Sequence, residues 1–268
     1  EAMSYLHWGS ALHRQAAYDA SDQKLAQALT IAEADQASKV MADSYLCMAR
    51  NRFYLGDYAG GQVRHEQAIR SYEASGDLVN ELAAHNSLAM LYLFAGDYTK
   101  AQAAYERCLN AYRQIENQPA IGLILNNLGA LATLVGRYQE AQQYYEESLA
   151  IRRRVSGRQS EALVIANLAL IAHQVNAQPK ALAYSQAALQ LSIELGERDT
   201  EAYARLCLGH ALAALERWPE AADAYQLAMS ARRQAGQQTQ ALEPLAGLAR
   251  VALAQGQLRQ AKTYIDEL

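Results

Sequence analysis

The residue types that most often carry out chemistry are sparse in this 268-residue chain, and their spacing forms no reactive site. The six histidines include no i, i+4 pair of the kind that binds zinc from one helix face. The three cysteines, Cys47, Cys108 and Cys207, are too widely separated to suggest a disulfide framework or a metal ligand set. Glu146 and Glu147 are expected on outward-facing helices, and no nucleophile has a base beside it. We therefore predict no catalytic residue, no metal and no cofactor, and interpret the chain as a binding protein rather than an enzyme.

The composition favours a soluble, helical protein. Hydrophobic residues make up 51% of the chain and only four residues are proline, while the abundant Ala and Leu are good helix formers. The formal net charge is −4 and the pI is about 5.9, so a general attraction to nucleic acid or to anionic membranes is not expected. No apolar run is long enough to cross a bilayer. We predict a cytoplasmic protein that contacts neither a membrane nor nucleic acid.

The elements that must position any binding residue follow a 40-residue repeat. The turn sequence GDY occurs at 56–58 and 96–98, and GRY occurs at 136–138. Around each turn, large and small apolar residues recur three and four positions apart, which is the pattern of two closely packed helices. The same step, with no insertion or deletion, gives turn positions at 16, 56, 96, 136, 176, 216 and 256. We predict a single array over 1–268, with repeats at about 2–41, 42–81, 82–121, 122–161, 162–201, 202–241 and a truncated 242–268.

A second turn is expected where each second helix ends. Glycine stands there in three repeats, with another glycine one place off in a fourth, and we expect polar pairs to replace it in the other two. The glycines are Gly76, Gly196 and Gly236, with Gly157 displaced, and the polar pairs are Ala34-Asp35 and Glu116-Asn117. The fifth repeat departs most, because Asn176-Ala177-Gln178-Pro179 replaces the first glycine turn and Ser185 replaces a tyrosine. We expect a local change of geometry in that repeat.

The pattern resembles the tetratricopeptide repeat over the whole chain. The matching columns are the small residues Gly129 and Gly209, the second-helix alanines Ala101, Ala141, Ala181 and Ala221, and the second-helix tyrosines Tyr105, Tyr145 and Tyr225. The repeat is longer than the usual ~34 residues, and we interpret the extra residues as longer helices. The resemblance implies an all-α fold, a right-handed superhelical solenoid of about seven antiparallel helix pairs.

The longer repeat is similar to the C-terminal sensor arrays of bacterial signal-transduction ATPases with numerous domains and of related transcriptional activators. That resemblance implies an array that receives a small-molecule or protein inducer and acts on an ATPase module. The sequence itself contains no GxxxxGK[ST] motif. Because it begins with Glu1 and ends partway through a helix at Leu268, we expect a fragment of a larger multidomain signalling protein, with the ATPase module elsewhere in that protein.

In such an array the first helix of each repeat forms a concave inner wall. Columns read at 40-residue steps place apolar residues in the middle of this groove with arginine and histidine beside them, a composition typical of surfaces that recognise peptides or protein segments. The candidate ligand-binding residues are Arg50, Tyr54, Asn86, Met90, Phe94, Asn126, Asn127, Asn167, Leu170, His173, His210 and Arg250. The alternative is that these side chains touch the neighbouring repeat and only complete the core.

The four asparagines of this set lie in mid-helix positions, where asparagine is a mediocre helix former. An amide can donate and accept hydrogen bonds, so these residues could pair with the backbone of an extended peptide. They could equally join adjacent helices to each other. The sequence leaves both interpretations open.

The function that the pattern favours is ligand recognition. We predict a sensor array that binds a peptide, a protein or an inducer in its concave groove and passes that event to other domains by a shift between conformations. The alternative is a constitutive protein–protein scaffold with no switching role, and a P-loop upstream of this segment would favour the sensor.

Overall fold

A computed structural model describes residues 1–155, 158 and 160–268. Within these residues the chain forms fourteen α-helices and one short 3-10 helix, Thr239–Ala241, and no β-strand. The helices are α1 (Ala2–Arg14), α2 (Tyr18–Ala34), α3 (Ser38–Tyr54), α4 (Tyr58–Ser75), α5 (Leu78–Phe94), α6 (Tyr98–Gln114), α7 (Gln118–Leu134), α8 (Tyr138–Val155), α9 (Glu161–Gln174), α10 (Gln178–Leu195), α11 (Arg198–Ala214), α12 (Trp218–Gln234), α13 (Leu242–Ala254) and α14 (Leu258–Glu267). The predicted all-α fold of consecutive helix pairs is confirmed. None of these helices combines the length and the apolar character needed to span a membrane.

The chain divides into two compact units. Unit 1 is Glu1–Asn117 and contains α1 to α6, and unit 2 is Gln118–Leu268 and contains α7 to α14. Within each unit, every odd-numbered helix packs against the even-numbered helix that follows it, and that helix packs against the next pair. Most helices have 17 or 18 residues, so the extra length of the repeat lies in the helices, as expected. The single array over 1–268 stays a prediction.

The turn inside each repeat has the same backbone geometry in all seven copies. The residue at the turn position has a left-handed φ between 57° and 80° whether or not it is glycine. The residues are Ala16, Gly56, Gly96, Gly136, Asn176, Glu216 and Gly256. The expected change of geometry in the fifth repeat is therefore wrong: Asn176 has φ 60° and its N–H donates to the His173 carbonyl at 3.0 Å, as Gly96 does to Leu93 at 3.1 Å. Asparagine tolerates this conformation, and Pro179 lies in the first turn of α10, where it removes no hydrogen bond.

The turn between repeats corrects a second expectation. Left-handed φ values of 53° to 73° occur at Gln36, Gly76, Glu116, Gly196 and Gly236. At the first of these turns we expected the polar pair Ala34-Asp35, but Gln36 adopts the left-handed conformation. Ala34 is still the last residue of α2, and Asp35 keeps a helical φ of −86°. Gly157 lies outside the described residues. The 40-residue register, rather than residue type, therefore sets the turn.

Candidate functional site

Unit 1 contains a cavity of about 160 Å³, which we call cavity 1. Its lining residues come from the end of α1, from α3 and α4, and from α5 of the next repeat. They are His13, Arg50, Phe53, Tyr54, His65, Ser87, Met90 and Leu91. Half of the wall is aromatic or aliphatic, so cavity 1 favours an apolar group. A volume of this size is close to the ~150 Å³ of an apolar protein cavity that binds benzene.

Aromatic rings continue from cavity 1 along the turn ends of the helices. The ring of Tyr54 stacks on that of Tyr18, with centroids 5.6 Å apart and planes at 3°. Phe53 meets Phe94 edge to face, with centroids 5.0 Å apart. Tyr54 and Phe94 are 61% and 55% exposed, so these rings form an aromatic surface that solvent reaches. Exposed apolar surface of this kind is typical of binding sites.

His65 on α4 is the one buried histidine of unit 1, with 3% of its surface exposed. Its Nδ1 lies 2.9 Å from the carbonyl oxygen of Gly61, which can only accept, so Nδ1 carries the proton. Burial, with a smaller effect of the Arg50 charge, lowers the pKa of His65 and keeps the ring neutral near pH 7. The second nitrogen, Nε2, is therefore a bare acceptor, and it is buried with no hydrogen-bond partner among the described residues. Such an atom costs free energy until it receives a donor.

Arg50 places a positive charge on the edge of cavity 1. The side chain is exposed, and within the described residues it makes no hydrogen bond or ion pair. The neighbouring polar residues, in contrast, are already used: His13 Nδ1 lies 2.7 Å from Asn51 Oδ1, and Asn51 Nδ2 donates to Ser21 Oγ at 2.9 Å. Cavity 1 therefore combines an apolar interior with an exposed arginine at its edge, while Nε2 of His65 lies buried in its wall.

Unit 2 contains a second cavity of about 280 Å³, which we call cavity 2. It is lined by α9, α11, α12 and α13. The residues are His173, His210, Ala213, Ala214, Trp218, Tyr225, Gly247, Arg250, Val251 and Ala254. Small residues on α11 and α13 make it wider than cavity 1, and Trp218 and Tyr225 give it aromatic walls.

A hydrogen-bond network orders the polar side of cavity 2. His210, 7% exposed, has Nδ1 at 2.8 Å from Tyr225 Oη and 3.4 Å from an Arg250 guanidinium nitrogen, and Nε2 at 3.3 Å from Glu243 Oε1. Because arginine only donates and the carboxylate only accepts, Nδ1 is the bare nitrogen and Nε2 carries the proton. The hydrogen bond from His210 lowers the pKa of Glu243, and burial raises the pKa of Tyr225 to about 12.

His173 completes this network from the neighbouring repeat. Its ring stacks on His210, with centroids 5.4 Å apart and planes at 15°. Burial is the main cause that lowers the pKa of His173, and the neighbouring His210 and Arg250 lower it further. His173 is therefore neutral at pH 7 and can lie against a second imidazole without charge repulsion.

The two cavities occupy equivalent places in the repeat register. Four 40-residue steps relate every lining residue of cavity 1 to a lining residue of cavity 2. The pairs are His13 and His173, Arg50 and His210, Phe53 and Ala213, Tyr54 and Ala214, His65 and Tyr225, Ser87 and Gly247, Met90 and Arg250, and Leu91 and Val251. The fold therefore forms the same kind of pocket in both units, and the side chains make the two pockets chemically different.

The residues predicted from the sequence fall into three groups. Cavity 1 contains Arg50, Tyr54 and Met90, cavity 2 contains His173, His210 and Arg250, and Phe94 contacts Phe53 of cavity 1. Outside both cavities lie Asn86, Asn126, Asn127, Asn167 and Leu170, all partly buried. The amide of Asn167 donates to Asn126 Oδ1 at 3.1 Å, which joins the first helices of two adjacent repeats.

Sequence reasoning missed His65, Phe53, Trp218 and Tyr225. The signal for His65 was present, because this histidine stands in the column that holds the second-helix tyrosines of three other repeats. The sequence interpretation places second helices on the outer side of the array, so it does not consider His65, Trp218 and Tyr225 as parts of a site. Phe53 lies on the first helix α3 and is not selected from its column.

One cluster of potential metal ligands lies apart from both cavities. Glu73, Glu81 and His85 bring one ligand atom each within 4.8 Å of one another. His85 Nε2 and Glu81 Oε1 are 3.9 Å apart, which is the separation of an ion pair, and Glu73 is exposed. The prediction that no metal is bound stays a prediction.

A profile of the tetratricopeptide repeat family matches residues 40–114 and 121–194, which is more than half of the chain. No curated protein matches the sequence.

Several solved structures share the fold at low sequence identity. The apo form of the quorum sensor NprR from B. thuringiensis is 16% identical, with 99% of this chain and 74% of that one covered and a TM-score of 0.78. A signal transduction ATPase with numerous domains from Pyrococcus horikoshii, which has a tetratricopeptide repeat sensor, is 16% identical, with 91% and 37% covered and a TM-score of 0.71. A Rap protein complexed with competence and sporulation factor is 16% identical, with 96% and 75% covered and a TM-score of 0.64.

Proposed function

The chain belongs to the tetratricopeptide repeat family, and on that premise we propose that it is a recognition array that binds a peptide, a protein segment or a small inducer. Binding takes place on the first-helix faces of its repeats, at cavities 1 and 2. The similar proteins support this proposal. One is described as a quorum sensor, another has a tetratricopeptide repeat sensor, and a third is complexed with competence and sporulation factor.

The observation that carries the proposal is the pair of equivalent cavities. A pocket that recurs at the same register after four repeats is a property of the fold, yet each copy has its own set of polar groups. Each pocket has an arginine at its edge and apolar residues inside it. Apolar anchors with a few placed polar groups are the usual composition of a ligand site, and the arginines favour a ligand that carries negative charge.

We further propose that the array acts as the sensor of a larger signalling protein. Ligand bound against helices of successive repeats stabilises one packing of those repeats over another, and this population shift is passed to a neighbouring module such as an ATPase. The similarity to the repeat sensor of a signal-transduction ATPase supports this part of the proposal.

Selection of random peptides displayed on phage tests the recognition function. We expect acidic peptides with aromatic or aliphatic residues to be enriched by the wild-type chain. Arg50→Ala and Arg250→Ala should each weaken the selected peptides about ten- to a hundredfold, because a charge-assisted hydrogen bond is lost.

The matched control is Arg70→Ala, which removes an exposed arginine from the second helix α4. It should leave peptide affinity unchanged, and circular dichroism should show equal helicity for all three variants. Failure to enrich any peptide, or peptides that lose affinity with Arg70→Ala and not with the cavity variants, would contradict the proposal.

A further inference from the structure

Unit 1 brings three potential metal ligands together at the turn between α4 and α5, apart from cavity 1. We propose that Glu73, Glu81 and His85 form a binding site for one divalent transition-metal ion, with zinc as the expected ion. The site goes beyond the proposed recognition function, because none of its residues lines either cavity. It replaces the expectation from the sequence that no metal is bound, which considered histidine pairs and cysteine spacing but not a carboxylate four residues before a histidine.

Ordered helix ends position the three side chains. Glu73 lies in the last turn of α4, Glu81 in the first turn of α5, and His85 one helical turn after Glu81. Residues four apart lie on the same face of a helix, so Glu81 and His85 are neighbours. The start of α5 is held by Asp77, whose carboxylate accepts hydrogen bonds from the backbone N–H of Asn80 at 3.3 Å and from its side-chain amide at 2.8 Å. The ligands therefore stand on a fixed backbone.

The ligand atoms are close enough to share one ion. One atom from each side chain lies within 4.8 Å of the other two, and His85 Nε2 is 3.9 Å from Glu81 Oε1. Two atoms bound at ~2.1 Å to a tetrahedral ion lie about 3.4 Å apart, so small side-chain rotations can close the set. At 3.9 Å no hydrogen bond joins His85 to Glu81, and the Glu73 carboxylate makes no hydrogen bond or ion pair among the described residues. Their lone pairs are therefore available to an ion.

A recess beside these residues gives an ion access and leaves room for bound water. Glu81 and His85 line a pocket of about 330 Å³ whose walls come from α5 and α6. Their side chains are 20% and 19% exposed, and Glu73 is fully accessible at the surface. The pocket is also lined by the amides of Asn110 and Gln114, which make no hydrogen bond among the described residues and offer donors and acceptors to water on the ion.

The charge and the donor set favour a transition metal over magnesium or calcium. The two carboxylates bring two negative charges, and the one cation on the pocket wall, Arg107, forms an ion pair with neither of them. Carboxylates alone suit magnesium and calcium, whereas an imidazole nitrogen suits zinc and its neighbours in the first transition row. Three protein ligands leave at least one position for water, as in open zinc sites. A bound ion would join the end of α4 to α5 and stabilise unit 1.

Calorimetric titration of the untagged chain with zinc chloride tests the proposal. We expect one zinc ion per chain, and no binding of magnesium at the same concentrations. Glu73→Gln and His85→Ala should each weaken zinc binding about tenfold or more, because each removes a direct ligand. Cobalt(II) bound at the same site should show an absorption spectrum without sulfur-to-metal charge transfer, since the three buried cysteines take no part.

The matched controls are Glu33→Gln and His7→Ala, at exposed residues of unit 1. Glu33 stands one 40-residue step before Glu73, so it has the same place in its repeat, and both controls should bind zinc as the wild type does. Glu73→Gln keeps the shape of an exposed side chain, so it decides the matter if His85→Ala fails to fold. No zinc binding by the wild-type chain, unchanged affinity in Glu73→Gln, or an equal loss in Glu33→Gln would each overturn the proposal. Peptide binding at the cavities is measured separately, so loss of the metal site leaves the recognition function standing.

Discussion

Gly209→Ala tests how closely the helices of unit 2 approach each other at cavity 2. A Cβ at Gly209 would lie 2.5 Å from Cε1 and 2.6 Å from Cδ1 of Tyr225, a ring that is fully buried. Ordinary contact between carbon atoms begins near ~3.5 Å, so the ring or the helix must move by about 1 Å. The Tyr225 hydroxyl is held 2.8 Å from His210 Nδ1, and a shift of that size breaks the hydrogen bond.

The magnitude follows from two losses and one gain. Overpacking of a buried contact costs about 1–3 kcal/mol, the lost hydrogen bond costs about 1 kcal/mol, and alanine in place of a helical glycine contributes about 0.5–1 kcal/mol of stability. We expect Gly209→Ala to lower the free energy of unfolding of the α11–α12 region by about 1–3.5 kcal/mol. Amide hydrogen exchange in these helices should then accelerate about 5- to 300-fold, and the urea midpoint followed by circular dichroism should fall.

The control is Gly122→Ala on α7, another first helix of unit 2. There the nearest atom to an added Cβ is Ile151 Cγ2 at 3.4 Å, which is ordinary contact. Alanine in a helix interior is more stable than glycine by about 0.5–1 kcal/mol, so this variant should be stabilised. A Gly209→Ala protein as stable as the wild type, or a Gly122→Ala protein destabilised as much as Gly209→Ala, would refute the packing described for cavity 2.

Three further predictions concern titration, helix contacts and turns. Stability should fall as pH is lowered from 7 to 5, because burial holds the folded pKa values of His65 and His173 below the ordinary 6.5, so that the unfolded chain binds more protons there; a urea midpoint that is flat or rising towards pH 5 contradicts this. A double-mutant cycle of Asn126→Ala and Asn167→Ala should give a coupling of about 0.5–1.5 kcal/mol if the amides join the helices, whereas no coupling with weakened peptide binding indicates a ligand role. Glu216→Gly should stabilise by about 0.5–1 kcal/mol, because Glu216 has a φ of 58° that glycine adopts without strain; a lower melting temperature would argue against this turn geometry.

The fold could be predicted from the sequence because the 40-residue pattern recurs often enough to be recognised where single residues depart from it. Ala16 and Glu216 are poor choices for a left-handed turn, yet their φ values of 57° and 58° match those of the glycines at equivalent positions. The packing of helices on both sides of each turn fixes the conformation of the turn. The residue type at the turn position changes only the free energy that this conformation costs. The same reason explains why the change of geometry expected in the fifth repeat, from Asn176-Ala177-Gln178-Pro179 and Ser185, is wrong at its turn.

The candidate site could be predicted only in part. Column reading placed Arg50, Met90 and Arg250 on the first-helix face, and they do line the cavities. It could not show that His65 lines cavity 1 and Tyr225 lines cavity 2 from second helices, because that depends on the distance between helices and on side-chain length. The pairing of Asn167 with Asn126 also depends on the packing of adjacent repeats, which one sequence does not specify.

Hydrogen–deuterium exchange on addition of a selected peptide tests the central claim most directly, that ligands bind the first-helix faces at the two equivalent cavities. The account predicts slower exchange in the segments of α3, α5, α11 and α13 that line the cavities, with the outer face of α4 around Arg70 unchanged. Slower exchange confined to the outer faces of the second helices, or no change in any first helix at saturating peptide, would contradict it.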